Sequence, residues 1–187
     1  IYGCTGAVGR GNIANISINL PRLALETDQT CGEKKKTEKV LHFKNRWQEI
    51  AETTTEILLD RYRITAGLSS EDFPANLARQ MWCVTFGTPN DVFRHGTLSI
   101  GFIGLSEAIE VLTGSRFYAS EEAYTIALDF VKFMREYCDR QRDKYHFNFS
   151  LLATSGELIS GRFSEIDRTM FHPSCDIFSK GFYTNSF

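Results

Sequence analysis

The stretch from Gly9 to Leu23, GRGNIANISINLPRL, restricts the fold more than any other part of the chain. A glycine-rich turn carrying Arg10 and Asn12 feeds into a run in which Asn15, Ser17 and Asn19 alternate with Ile16, Ile18 and Leu20. Period two marks a half-buried strand, apolar on one face and wet on the other. The wet face carries two amides and a hydroxyl instead of charges, which suits the wall of a polar cavity as well as an open surface strand.

Farther along, the period changes. Thr27 to Lys39 is polar, carries the charge run Glu33 to Lys36, and reads as a solvated loop. From Leu41 to about Ile64, Phe43, Trp47, Ile50, Thr54, Ile57, Leu58 and Tyr62 recur at steps of three and four, predicting a long amphipathic helix. Phe73 to Trp82 is a second helical segment, and Pro89 with Asn90 marks a turn. Thr97 to Ile103 reads as a strand, and Leu105 to Leu112 as a short helix stopped by Gly114. Ser120 is placed to cap a helix whose first turn holds Glu121 and Glu122. That helix runs to about Arg142 with Ala123, Ala127, Phe130, Met134 and Cys138 on one stripe. Phe147 to Ala153 is a third strand and Phe182 to Phe187 a fourth. Strands alternating with long helices predict an α/β architecture with parallel βαβ units. Pattern alone leaves an open sheet and a piece of a barrel both standing.

At 187 residues and 42% hydrophobic the chain can bury one sizeable core. Its formal net charge of -2 gives no reason to expect a polyanion-binding surface, so nucleic acid is not an expected partner. A small phosphorylated ligand needs only local positive groups. No apolar run approaches the roughly 20 residues that span a bilayer, and the N-terminus lacks a signal-peptide pattern. The chain therefore reads as cytoplasmic, with no membrane partner. Cys4, Cys31, Cys83, Cys138 and Cys175 are scattered and form no C-x-x-C pair. That argues against a disulfide framework and against a structural zinc site within the chain.

Four blocks taken together carry a resemblance: the Gly9 to Leu23 stretch, HGTLSIGFIGL at His95 to Leu105, NFSLLATSGELISGRF at Asn148 to Phe163, and YTNSF at Tyr183 to Phe187. In order and content they closely resemble anaerobic (class III) ribonucleoside-triphosphate reductase, a glycyl radical enzyme family. The resemblance implies a ten-stranded α/β barrel of two antiparallel halves, of which residues 1–187 would form one partial domain of the wall. It also implies a longer polypeptide with a regulatory domain, a structural zinc site and a glycyl-radical loop. Ile1 in place of methionine, and Phe187 inside a predicted strand, read as cut ends, so the chain alone is expected to be inactive.

The same resemblance assigns roles. A glycyl radical oxidises a cysteine to a thiyl radical, which takes hydrogen from C3′ of the ribose; loss of the 2′-hydroxyl as water and re-reduction give the deoxynucleotide. Asn12, in the G-R-x-N motif, matches the asparagine that contacts the ribose hydroxyls, and a carboxamide can both donate to and accept from a hydroxyl. Read from the residues alone, it could equally fix a turn. The thiyl cysteine sits in a G-C-R motif; here Gly3, Cys4 and Thr5 depart from it, with a short spacing to Asn12. Cys4 and a cysteine before Ile1 therefore compete for that role.

Thr154, Ser155 and Gly156 have the form of a phosphate cradle, a strand end turning into a helical N-terminus. They stand where the family usually reads A-T-P-A-E, with Glu157 retained. His95, before the second strand, is a candidate substrate-binding group or a hydrogen-bonded structural residue. The implied partners are ribonucleoside triphosphates, nucleotide effectors, a second subunit in a homodimer, and a radical-installing enzyme that uses S-adenosylmethionine and an iron–sulfur cluster. Two other readings stand beside this one: a glycyl radical enzyme of the pyruvate formate-lyase type, whose cysteine pair has no counterpart here, and a non-catalytic nucleotide-binding α/β module.

Overall fold

The computed structural model describes residues 11–79, 88–173 and 175–185. Three strands, β1 (Asn12–Asn19), β2 (Thr97–Ile103) and β3 (Asn148–Ala153), are hydrogen-bonded in that order. They run parallel. The Thr97 amide donates to Gly11 O at 2.8 Å where β1 and β2 begin, and the Thr154 amide donates to Phe102 O at 3.1 Å where β2 and β3 end. The connections are helical: α1 (Leu20–Cys31), α2 (Lys36–Ala66), α3 (Pro74–Ala78) and α4 (Pro89–Phe93) between β1 and β2, then α5 (Leu105–Thr113) and α6 (Glu121–Tyr145) before β3. Helix α7 (Glu157–Met170) follows β3. No described helix is long and apolar enough to cross a membrane.

The chain forms two compact units. One comprises the described residues of Ile1–Ile16, Thr53–Ile100 and Glu136–Ser150; the other, those of Ser17–Glu52, Gly101–Arg135 and Leu151–Phe187. In the first, Leu58, Leu98, Ile100 and Cys138 are wholly buried, and the Thr55 and Tyr137 hydroxyls meet at 3.1 Å. In the second, Phe43 and Trp47 of α2 pack on Phe130 of α6 at 4.7 and 6.0 Å between ring centroids. Each buried aromatic of this kind stabilises the fold by about 1.5–3 kcal/mol. Leu25, Ile103, Phe171, Ile177 and Tyr183 form a further cluster in this unit.

Five expectations need correction. β1 stops at Asn19, because the Asn19 side chain accepts the Arg22 amide at 3.2 Å and Leu20, the last residue of the run that reads as strand, opens a helix with Pro21 in its first turn. The predicted loop from Thr27 to Lys39 shrinks to residues 32–35: Thr27 is wholly buried in α1, and α2 already begins at Lys36. The charged residues Glu33 to Lys36 are nonetheless exposed, as charge runs usually are. Pro89 and Asn90 open the short helix α4, capped by Thr88. Residues 182–185 form no strand; their backbone is held by Glu107, Gly104 and Ser160. On α2, Ile57 is 44% exposed while Leu58 is buried, since adjacent helical residues stand about 100° apart and cannot share one core. Trp82 of the second predicted helix, and Phe187 of the fourth predicted strand, lie outside the described residues.

Candidate functional site

In the first unit a polar chain crosses all three strands. The Asn12 carboxamide turns its nitrogen toward Ser99 Oγ at 3.1 Å and toward the backbone oxygens of Ala14 and Thr97, each at 3.0 Å. Ser99 Oγ in turn lies 2.9 Å from Ser150 Oγ. Asn12 is exposed, Ser99 buried and Ser150 half-buried, so a solvent-facing amide is anchored on a buried hydroxyl. Nearby, the Asn148 side chain donates to Gly96 O at 3.2 Å, tying the starts of β2 and β3 together. His95 is 9% exposed, and its Nε2 accepts from Arg94 Nε at 3.2 Å. This contact lies in the turn that leads into β2. Asn15 does not join this chain; it faces a groove lined by Ile13, Arg61, Ile64 and Thr65.

The second unit holds Thr154, Ser155 and Gly156, the segment expected from the sequence as a phosphate cradle. Thr154 is buried and its hydroxyl meets Ser17 Oγ at 2.7 Å. Ser155 is exposed, and Gly156 begins α7 with no side-chain cap. The first intrahelical bond there is Ser160 N–H to Gly156 O at 2.8 Å, so the amides of Glu157, Leu158 and Ile159 precede the helical ladder. The segment expected as a helical turn is thus the start of a helix reaching Met170. An uncapped N-terminus beside two hydroxyls suits an anion.

A second polar cluster in this unit has no local sequence signal. The Asp167 carboxylate is fully buried and accepts from Arg22 Nε at 2.6 Å, Asn19 Nδ2 at 3.0 Å and Tyr183 Oη at 2.7 Å, with Arg22 Nη2 also paired to it. The Arg22 guanidinium further lies over the Phe171 ring. Burial, then the hydrogen bond to Asp167, hold the Tyr183 phenol far above its ordinary range, so it remains a donor. Next to it in sequence, Thr184 donates its hydroxyl to Glu107 Oε1 at 2.8 Å and its amide to Oε2 at 3.1 Å. Two residues of the terminal YTNSF block are therefore pinned by buried carboxylates.

Cys175 is half-buried, and burial first, then the negative charge of Glu110, push its thiol up to about 11. The folded state holds that proton more tightly, so the thiolate forms only as pH rises toward 11. At pH 8 we expect Cys175 to alkylate about a hundredfold more slowly than a free cysteine. Peptide mapping after timed iodoacetamide labelling measures this, and a rate equal to that of the unfolded chain would contradict it. Cys4 and Cys83 lie outside the described residues. Among the described residues no three His, Cys, Asp or Glu side chains gather where a metal could sit.

A parallel sheet with helical crossovers is the frame of an α/β protein; one unit carries an anchored amide and the other an uncapped helix start. Comparison with known proteins makes the assignment specific. The family model for anaerobic ribonucleoside-triphosphate reductase matches residues 3–187, and the chain belongs to that family. The anaerobic ribonucleoside-triphosphate reductase of Salmonella typhimurium strain LT2 is 30% identical over 187 residues, covering 96% of this chain and 25% of the relative. That of Escherichia coli strain K12 is 29% identical with the same coverage, and that of Enterobacteria phage T4 is 26% identical, covering 96% of this chain and 28% of the relative. The chain thus spans about a quarter of the length of the curated relatives it matches. Among solved structures, the Thermotoga maritima anaerobic ribonucleotide reductase with citrate in the active site superposes with a TM-score of 0.63 at 15% identity, over 96% of this chain and 29% of that one. The same enzyme in complex with dATP and CTP gives 0.62 at 15% identity, over 96% and 26%. The fold is that of a segment of the reductase barrel.

Proposed function

We propose that this chain serves the anaerobic reduction of ribonucleoside triphosphates to 2′-deoxyribonucleoside triphosphates, as the substrate-facing part of a complete reductase. The observation that carries the reading is the Asn12 carboxamide, held by Ser99 and two strand carbonyls while the side chain stays solvent-facing. An amide fixed in this way can meet a ribose hydroxyl without first losing rotamer freedom. Thr154, Ser155 and Gly156, with the leading amides of α7, would take phosphate; the dipole of a 14-residue helix and its unpaired N–H groups favour that charge. Glu157, in the first turn, is the one local charge that opposes it.

The radical chemistry that the family resemblance implies is hydrogen abstraction from C3′ by a cysteine thiyl radical generated from a glycyl radical. The described residues offer no seat for the implied zinc, and Cys4 remains a proposal for the thiyl position. The resemblance further supports a radical-installing partner with S-adenosylmethionine and an iron–sulfur cluster, nucleotide effectors, a homodimer and a cytoplasmic setting. The dATP and CTP of the Thermotoga maritima complex are in keeping with nucleoside triphosphates as ligands.

The test is equilibrium binding of CTP to the full-length protein under anaerobic conditions. Asn12→Ala is expected to weaken binding about tenfold, the worth of one or two hydrogen bonds. Unchanged binding in the Asn12→Ala/Thr154→Ala double variant would replace this reading with a nucleotide-binding module that uses neither residue.

A further inference from the structure

We infer that Ser99 and Ser150 are positioning residues for Asn12, and that together they set the carboxamide so that Oδ1 is offered to the ligand as a hydrogen-bond acceptor. The inference rests on the reading of Asn12 as a ribose contact. A carboxamide is nearly symmetric in shape, so only its neighbours decide which end is oxygen and which is nitrogen. The backbone oxygens of Ala14 and Thr97, each 3.0 Å away, can only accept, so the nitrogen must face them. The amide's two protons are shared among these two carbonyls and Ser99 Oγ, 3.1 Å from the same nitrogen.

A serine hydroxyl has one proton and two lone pairs, so Ser99 Oγ can accept from the amide and still bond a further neighbour. With Ser99 Oγ accepting from Asn12, it still bonds Ser150 Oγ at 2.9 Å, either by giving its own proton or through its second lone pair. The amide N–H thus meets a hydroxyl that is itself held by a second hydroxyl. Hydrogen bonds aligned in sequence polarise one another, which strengthens the outer amide's acceptor end as well as its anchorage. Ser99 is only 4% exposed, so water does not readily replace its hydroxyl. A ribose hydroxyl approaching Oδ1 must therefore donate, and the site reads a sugar O–H as a donor.

The experiment uses the full-length protein, purified without oxygen and without radical installation, with CTP, 2′-deoxy-CTP and 3′-deoxy-CTP as probes in equilibrium binding. Ser99→Ala is expected to weaken CTP binding about two- to tenfold, the range for one net hydrogen bond. The penalty should disappear with the analogue that lacks the contacted hydroxyl, and Ser99→Ala should cost nothing further in an Asn12→Ala background. Ser150→Ala, at a half-buried position, should show a smaller penalty of the same pattern, and it carries the test if Ser99→Ala does not fold. An equal penalty on all three probes, or additivity with Asn12→Ala, would mean that the serines only support the strands, and would overturn the inference. Loss of CTP affinity in Asn12→Ala with none in either serine variant would overturn it while leaving the ribose reading intact. No loss in Asn12→Ala itself would remove the ribose reading and the inference with it.

Discussion

Replacing Asp167 by alanine is expected to destabilise the protein by about 3–5 kcal/mol, the cost of breaking a buried ion pair by deleting one partner. The carboxylate has four donors on two oxygens: Oδ1 serves the Arg22 guanidinium twice, and Oδ2 serves Asn19 and Tyr183. That is about its full acceptor capacity. Arg22 keeps 25% side-chain exposure and can regain some water after the change, but Tyr183 is wholly buried and its hydroxyl is left without an acceptor. A stranded buried donor alone costs about 1–3 kcal/mol. Asn19 is the cap of α1 as well as a partner of Asp167, so the loss also loosens the junction where β1 becomes helix. Tyr183→Phe should cost less, about 1–2 kcal/mol, because it removes a donor without leaving a buried charge. In the Asp167→Ala background the same change should cost almost nothing, since its acceptor is already gone. Urea unfolding followed by circular dichroism gives all three values. A shift of less than about 1 kcal/mol for Asp167→Ala, the size of an ordinary surface effect, would show that the cluster does not hold the second unit together.

This network also marks where sequence reading reached its limit. Thr97–Ile103 was legible to the residue, because a β-branched and apolar run bounded by glycines has few other uses. The start of α6 was legible from Ser120, whose hydroxyl accepts the Ala123 amide, and its buried stripe from the spacing of Ala123, Ala127, Phe130, Met134 and Cys138. α1 was not read, although Asn19, Pro21 and Gly32 are start and stop signals, because the strand alternation ran through the cap and continued to Leu20. Local periods compete at such a junction, and here the cap won. Of the candidate site, Asn12 and the Thr154 turn were visible in motifs. Ser99 and Ser150 carried no signal, since a serine in a strand is ordinary until its neighbours in the sheet are known. Arg22 and Asp167 stand 145 positions apart, a pairing that no local pattern encodes.

Gly104→Ala is expected to cost about 3–4 kcal/mol, from two sources that can be separated. Gly104 sits at φ 80°, ψ 34° as the N-cap of α5, its amide donating to Thr184 O at 2.7 Å and its carbonyl accepting from Ala108. An L-residue there pays about 1–2 kcal/mol for the left-handed conformation. The added methyl would also lie 2.3 and 2.4 Å from Cγ and Cδ of Pro21, and 3.3 Å from Cβ of Tyr183. The proline ring cannot rotate away, so α1 and α5 must separate, at the roughly 1–3 kcal/mol typical of overpacking. Gly114, at φ 76°, ψ 8° with nothing within 4 Å of an added methyl, isolates the first source, and Gly114→Ala should cost only about 1–2 kcal/mol. Combining Gly104→Ala with Pro21→Ala removes the obstructing ring atoms and should recover the second source in part, leaving the conformational cost. If Gly104→Ala matches Gly114→Ala in denaturant midpoint, the close approach of α1 to α5 is not what requires glycine in this motif. If the double variant recovers nothing, the backbone conformation alone sets the requirement.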